Sequence, residues 1–172
     1  MSRQPHPPKK KHTNRPRPAP VVPLTDTERG ARAQEEYEKG LIHLIEAERM
    51  AAWGRAPNSC VHAAYYAMHH AARAALFATG GVGARKDVPK SHEHVLEHFG
   101  KLTQKEPADL GEAGRWLNQA RTDRMVADYD LVRGAVAFEA TETTRLARRF
   151  VDAVAARWGF YDNVSAELDD EP

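Results

Sequence analysis

The sequence has little cysteine and no long apolar segment, and each shortage excludes a class of protein. Cys60 is the single cysteine, so no disulfide can form within the chain. There is no run of about 18 apolar residues, which a membrane-spanning helix would need. The N-terminal segment also lacks the apolar centre of a secretory signal. A cytoplasmic location without membrane association is therefore expected.

Acidic residues are missing from one end of the chain and basic residues from the other. Residues 1–24 hold six lysines and arginines, no acid and seven of the eleven prolines, so they carry a charge of +6. Residues 162–172 carry −5, which leaves residues 25–161 neutral within a total of +1. We therefore expect a disordered basic arm, a folded domain and an acidic tail. The arm fits either a solvated tail or weak contact with nucleic-acid phosphates.

Strand-like alternation is absent too, whereas helical periodicity extends through residues 25–161. Thr25 and Glu28 form a capping-box pattern that opens the first helix, and Gly54 with Pro57 ends it. The pattern predicts an all-α fold, an antiparallel four- to five-helix bundle. The later helices are predicted to open near Asn58 or Ser59, at Ser91, at Pro107 and after Asp130.

The second predicted helix carries a polar stripe beside its apolar one. His62, Tyr66, His69 and Arg73 fall at i, i+4, i+7 and i+11, which places them in one line. This line is either edge packing in a bundle or the lining of a polar pocket or dimer seam. His70 points away from the stripe and is expected to be exposed.

The fourth predicted helix brings charge onto its own buried face. Leu110 and Leu117 set that face, and continuing it leads to Arg121, Arg124 and Asp128. Arg124 and Asp128 are spaced i, i+4 and can pair, but burying such a pair costs free energy unless it is well satisfied. The pair is therefore either a structural device that fixes helix register or part of a cleft.

Two other patterns carry weaker signals. His94 and His98 have the i, i+4 spacing that can hold a metal, yet no third ligand accompanies them. The glycines of residues 80–83 lack the strand and the Lys-Ser/Thr of a phosphate-binding loop. No metal site and no cofactor are predicted.

Three motifs resemble the HEPN superfamily, and in particular a bacterial branch of it. That branch reads roughly Arg-Ala-Tyr-Tyr-Ala-x-Phe-His-Ala-Ala on its second helix, where this chain has residues 63–72. Its later Arg-x-x-Ala-Asp-Tyr-Asp is matched in full by residues 124–130, and its Lys-Ser/Thr-His by residues 90–92. The resemblance spans residues 35–160.

The resemblance implies a helical bundle that usually dimerises. Many members are metal-independent ribonucleases, often toxins paired with a nucleotidyltransferase antitoxin. Their signature is an arginine, then four to six residues, then a histidine. A tyrosine often follows the histidine, and in some toxin–antitoxin pairs this tyrosine accepts AMP. The histidine would act as acid–base and the arginine would stabilise the charge on phosphorus.

This chain departs from that signature, because no histidine follows Arg121 or Arg124 at that spacing. The acid–base group would come from elsewhere, such as His62, His69 or His92. Two functions therefore stay open: an RNA-cleaving HEPN enzyme, and a non-catalytic HEPN module that binds nucleotide, RNA or a protein partner. The catalytic candidates are Arg124, Asp128, Tyr129, His62 and His69. The binding candidates are Tyr66, Arg73, Arg121 and His92. The expected partners are a second copy of the chain, a nucleotidyltransferase antitoxin, and RNA or a nucleotide.

Overall fold

The computed structural model describes residues 24–80, 91–129 and 135–164, and none of these forms a strand. The all-α helical fold predicted from the sequence is confirmed. None of the described helices combines the length and apolarity that crossing a bilayer requires. Residues 1–23 of the basic arm, residues 165–172 of the acidic tail and Asp130 lie outside the described residues. The helices are α1 Asp26–Trp53, α2 Pro57–Ala78, α3 His92–Thr103, α4 Ala108–Gly111, α5 Ala113–Tyr129 and α6 Ala137–Trp158.

Helix α1 begins and ends where its local sequence signals predicted. Glu28 accepts a hydrogen bond from the backbone N–H of Thr25 at 2.8 Å, and the Thr25 hydroxyl accepts from the backbone N–H of Glu28 at 3.3 Å. These two bonds satisfy donors that have no partner within the helix. Gly54 ends the helix at φ 70°, a left-handed conformation that suits glycine.

Helix α2 is the central element, because α1, α3, α5 and α6 all pack against it. Most of its residues are buried, and many of them are alanines, which let the neighbouring helices approach closely. The closest crossing is with α1 at Gly40, where an added Cβ would lie 3.0 Å from the carbonyl oxygen of Ala67. The polar residues His69 and His70 of α2 are therefore covered by neighbouring helices, whereas His62 stays partly exposed.

The helix predicted to open at Pro107 begins instead at Ala113, after the separate short helix α4. Gly111 and Gly114 weaken helix formation at this point. Gly114 also lies where α5 crosses α3, since a Cβ there would be 3.1 Å from the Cα of Gly100. This crossing fixes α5 beside α2 and α3, and it carries the charged end of α5 toward the polar stripe of α2.

Candidate functional site

Side chains from α2, α3 and α5 converge around the ring of Tyr66. The ring centroid of Tyr66 lies 4.7 Å from that of His62 and 5.6 Å from that of His92. The guanidinium carbon of Arg124 lies 5.9 Å from the same centroid. We call this group the polar cluster, and it comprises His62, Tyr66, His69, His92, Arg124 and Asp128.

Asp128 joins a base on α2 to an arginine on its own helix. His62 Nδ1 lies 3.2 Å from both carboxylate oxygens of Asp128. An ionised carboxylate only accepts hydrogen bonds, so His62 Nδ1 carries the hydrogen. The lone pair of the neutral ring is then on Nε2, which has no hydrogen bond to any of the described residues. The His62 side chain is 44% exposed, so this nitrogen is accessible to a ligand.

Arg124 is held by charge and by aromatic rings. Its Nε lies 2.6 Å from Asp128 Oδ2, but the N–H does not point along that line and has no hydrogen-bond acceptor among the described residues. Its guanidinium also lies 5.7 Å from the ring centroid of Tyr129. Burial alone would lower the pKa of Arg124, but Asp128 and the phenols of Tyr66 and Tyr129 outweigh it and raise that pKa. Arg124 therefore keeps its positive charge.

His92 lies at the first turn of α3, with a buried tyrosine beneath it. The hydroxyl of Tyr65, a fully buried residue, is 2.6 Å from His92 Nδ1. Burial, followed by the charges of Arg124 and Arg121, lowers the pKa of His92. Arg121 itself makes an ion pair at 3.2 Å with Glu93, the next residue of α3. The structure thus brings the predicted binding residues His92 and Arg121 to the edge of the polar cluster.

His69 lies beneath the polar cluster rather than at its surface. Its side chain is 4% exposed, and its ring centroid lies 4.5 Å from that of His92. Burial, followed by the charges of His92, His70 and Arg73, lowers the pKa of His69 to about 3, so the ring is neutral. A buried neutral ring is poorly placed to exchange protons with a substrate.

The far end of the predicted stripe faces α1 instead of α5. Arg73 lies 3.4 Å from the carboxylate of Glu36, and His70 Nδ1 donates to the same carboxylate at 2.9 Å. Burial would raise the pKa of Glu36, but His70, Arg73 and Lys39 outweigh it and lower that pKa to about 2. The expectation that His70 is exposed is wrong, because α1 covers this side of α2 and supplies an acceptor. Arg73 is therefore separated from the charged pair on α5.

Three residues at or near the site were not singled out from the sequence. They are Glu36, His43 and Tyr65. The ring centroid of His43 lies 5.7 Å from that of Tyr66. Glu36 accepts a hydrogen bond from His70, and Tyr65 contacts His92. Glu36 and His43 are spaced i, i+7 on α1, a signal that both face the same neighbour. Tyr65 lies outside the line of the polar stripe, so helical spacing does not predict the contact of its hydroxyl with His92.

A cleft of about 420 Å³ opens beside His62 and Asp128. Its size falls within the range of ordinary small-ligand sites, about 300–1,000 Å³. A second cavity of about 240 Å³ lies between α2, α5 and α6, but it is lined by apolar and acidic side chains and contains no base. We place the candidate site at the cleft of about 420 Å³, because two residues of the polar cluster, His62 and Asp128, line it. The first cleft is lined by His43, Glu46, Met50, Asn58, Ser59, His62, Ala63 and Asp128.

Unsatisfied polar atoms concentrate at the predicted site residues. Among the described residues, four buried side-chain nitrogens have no hydrogen-bond partner, and three of them belong to His69, Arg73 and Arg124. Buried polar groups in proteins are nearly always paired, so each such atom needs an explanation, commonly a water or a ligand. The same part of the chain contains no group of three or more side chains arranged to hold a metal ion.

The bundle and its polar cluster define a small all-α domain that presents a polar site between helices. A family model, the HEPN domain, matches residues 33–158, which is most of the chain. The protein therefore belongs to the HEPN family. No curated protein and no solved structure matches the chain.

Proposed function

We propose that this HEPN protein is a metal-independent endoribonuclease in which His62 replaces the histidine missing from the family signature. The observation that supports this most is the contact of Asp128 with both His62 and Arg124. A carboxylate that fixes a histidine tautomer beside an arginine is a recurring arrangement for proton transfer near a developing negative charge.

The proposed reaction is transesterification within the RNA chain. His62 Nε2 takes the proton of a ribose 2′-hydroxyl, and the 2′-oxygen forms a bond to the adjacent phosphorus. The bond from phosphorus to the 5′-oxygen then breaks, and that oxygen receives a proton from His62 or from water. The products are a 2′,3′-cyclic phosphate and a 5′-hydroxyl end.

Arg124 supplies the positive charge that this reaction needs. Charge builds up on the phosphate oxygens in the transition state, and a fixed guanidinium lowers the free energy of that state. Its guanidinium keeps its charge and lies at the polar cluster, with the guanidinium carbon 5.9 Å from the ring centroid of Tyr66. The cleft beside His62 offers room for a nucleotide.

The test is cleavage of single-stranded RNA in the presence of EDTA by the purified full chain. We expect His62→Gln and Arg124→Gln each to lower the rate by about 10²–10⁴-fold. The matched control is His94→Gln, because His94 is an exposed histidine of α3 outside the polar cluster. Full activity in His62→Gln would overturn the assignment of the base. Absence of cleavage by the unmodified protein, together with RNA binding, would favour the non-catalytic module.

The proposal extends to a toxin-like role with a nucleotidyltransferase partner, which Tyr129 favours. Its side chain is 69% exposed and lies beside Arg124, so a modification there would cover the site. The Tyr129 hydroxyl would attack the α-phosphorus of ATP and release pyrophosphate, leaving AMP on the oxygen. Mass spectrometry after co-expression with a nucleotidyltransferase from a neighbouring gene tests this. Adduct on the unmodified chain but not on Tyr129→Phe is the expected result, and adduct on both would contradict it.

A further inference from the structure

We propose that Tyr65 is a positioning residue that holds His92 as an Nε2–H donor. His92, Arg121 and Arg124 then form a phosphate-binding subsite beside the His62–Asp128 pair. The identity of the phosphate as RNA rests on the proposed function, whereas the tautomer of His92 does not.

The tautomer follows from the hydrogen bond between Tyr65 and His92. The hydroxyl of Tyr65 is fully buried, and His92 Nδ1, at 2.6 Å, is the single acceptor within its reach among the described residues. If His92 donated instead, the hydroxyl hydrogen would be buried without an acceptor, which costs free energy. Tyr65 therefore donates, Nδ1 accepts, and the hydrogen of the neutral imidazole is on Nε2.

Burial keeps both partners in these forms over a wide pH range. It raises the pKa of Tyr65 to about 12, so the phenol keeps the hydrogen that it donates. Burial and the neighbouring arginines lower the pKa of His92, so the ring stays neutral. A neutral ring with its hydrogen on Nε2 can donate from that nitrogen but has no lone pair there. Nε2 of His92 therefore cannot bind a metal ion or accept a proton.

His92 lies near two arginines, each of which is also paired with one carboxylate. Arg121 and Arg124 both act on His92 electrostatically, and Arg121 pairs with the adjacent Glu93. His92 is also the first residue of α3, the end at which the helix dipole is positive. A donor that cannot accept, beside two guanidinium groups and the positive end of a helix dipole, favours an anion such as a phosphate oxygen.

The subsite and the acid–base pair both contact the ring of Tyr66. Tyr66 lies 5.6 Å from His92 and 4.7 Å from His62, measured between ring centroids. His62 holds its hydrogen on Nδ1 and His92 holds it on Nε2, so the two histidines have opposite tautomers. The first can accept a proton from a substrate hydroxyl while the second donates to a phosphate of the same chain.

The first test reads the tautomer directly in the unmodified protein. Protonated and unprotonated imidazole nitrogens have well-separated ¹⁵N chemical shifts, and His92→Gln identifies the signals of His92 by their loss. We expect Nδ1 of His92 to be unprotonated and Nε2 protonated at neutral pH. A protonated Nδ1 would overturn the inference, and this result needs no variant of Tyr65.

The second test measures binding with 2′-O-methyl RNA, which cannot be cleaved because its 2′-oxygen is blocked. We expect Tyr65→Phe to remove the tautomer preference and to weaken binding about five- to tenfold, the effect of one ordinary hydrogen bond. Tyr37→Phe is the matched control, a buried tyrosine that packs on Phe160 and has no contact with His92. Unchanged binding in Tyr65→Phe, or an equal loss in Tyr37→Phe, would contradict the subsite.

The two proposals fail in different ways. If the protein binds the 2′-O-methyl RNA through His92 but cleaves no RNA, the subsite is supported and the ribonuclease proposal is refuted. If the protein cleaves RNA through His62 while His92 carries its hydrogen on Nδ1, the ribonuclease proposal is supported and the subsite is refuted.

Discussion

His62 and Asp128 are 66 residues apart in the sequence, yet the imidazole Nδ1 of His62 lies 3.2 Å from both carboxylate oxygens of Asp128. The contact joins the start of α2 to the end of α5. Arg124, one turn before Asp128, approaches the same carboxylate from the other side. The charged pair that breaks the apolar face of α5 is therefore also the partner of His62, whose side chain is 44% exposed.

Asp128 orients His62, so Asp128→Asn should slow RNA cleavage without abolishing RNA binding. An amide can donate to Nδ1, which would move the imidazole hydrogen to Nε2 and leave no lone pair for the substrate. We expect the cleavage rate to fall by about 10²-fold or more with little change in KM. Asp123→Asn is the control, because Asp123 is on the same helix but bonds to Gln119. Equal rates for the two variants would show that Asp128 does not orient the base.

The helices could be predicted where short local signals decide them. The capping box of Thr25 and Glu28 and the left-handed Gly54 set both ends of α1, and the structure has both. The start of α5 could not be predicted, because it depends on how Gly114 packs against Gly100 of α3. That contact is tertiary, and no periodicity within the segment contains it.

The site could be predicted one helix at a time but not as a whole. The polar stripe of α2 and the charges of α5 both follow from helical spacing. Which stripe residue meets Asp128 depends on the crossing of two helices, so His62 could not be separated from His69 in advance. His70 was expected to be exposed because the stripe was considered without α1, the helix that supplies Glu36.

Glu36→Gln should destabilise the fold at neutral pH. The carboxylate is buried and paired with His70, Arg73 and Lys39, which lower its pKa from 4.5 to about 2. A folded-state pKa below the unfolded value stabilises the fold above pH 4.5, and this stabilisation is lost as the pH falls toward 2. The shift corresponds to about 3 kcal/mol at pH 7.

Urea denaturation of the two proteins measures the effect of Glu36. The difference in the free energy of unfolding should be largest near pH 7 and should close between pH 4.5 and 2. Glu35→Gln is the control, since Glu35 makes an exposed pair with Arg32 and should cost less than about 1 kcal/mol. A difference that does not change with pH would show that the charge of Glu36 is not what stabilises the fold.

His69→Phe should make the protein more resistant to acid. The folded-state pKa of His69 is about 3 against 6.5 for an ordinary histidine, so the unfolded chain binds a proton that the folded one does not. Stability then falls with decreasing pH between 6.5 and 3, by up to about 1.4 kcal/mol per pH unit. Phenylalanine keeps the aromatic packing and removes both the titration and the unpaired Nδ1. Urea denaturation measures the free energy of unfolding, which should fall less steeply between pH 7 and pH 5 in His69→Phe than in the unmodified protein. His94→Gln is the control and should keep the original slope. An unchanged slope in His69→Phe would contradict this account.

The homodimer expected for this family stays a prediction, and α5 offers the surface on which it can be tested. Met125 and Tyr129 are spaced i, i+4 and are 45% and 69% exposed, so they form one apolar face next to Arg124. We propose that a second copy of the chain covers this face, because an exposed apolar patch is a common association surface. The Tyr129 hydroxyl would then be open to a nucleotidyltransferase in the monomer and covered in the dimer. Light scattering after size exclusion should then give a dimer for the unmodified protein and a monomer for Met125→Glu. Tyr161→Glu changes another exposed large apolar residue, beyond the end of α6, and should leave the dimer intact. If Met125→Glu is still a dimer, the interface lies elsewhere. If the unmodified protein is a monomer, the proposed dimer is wrong and the site is formed by one chain.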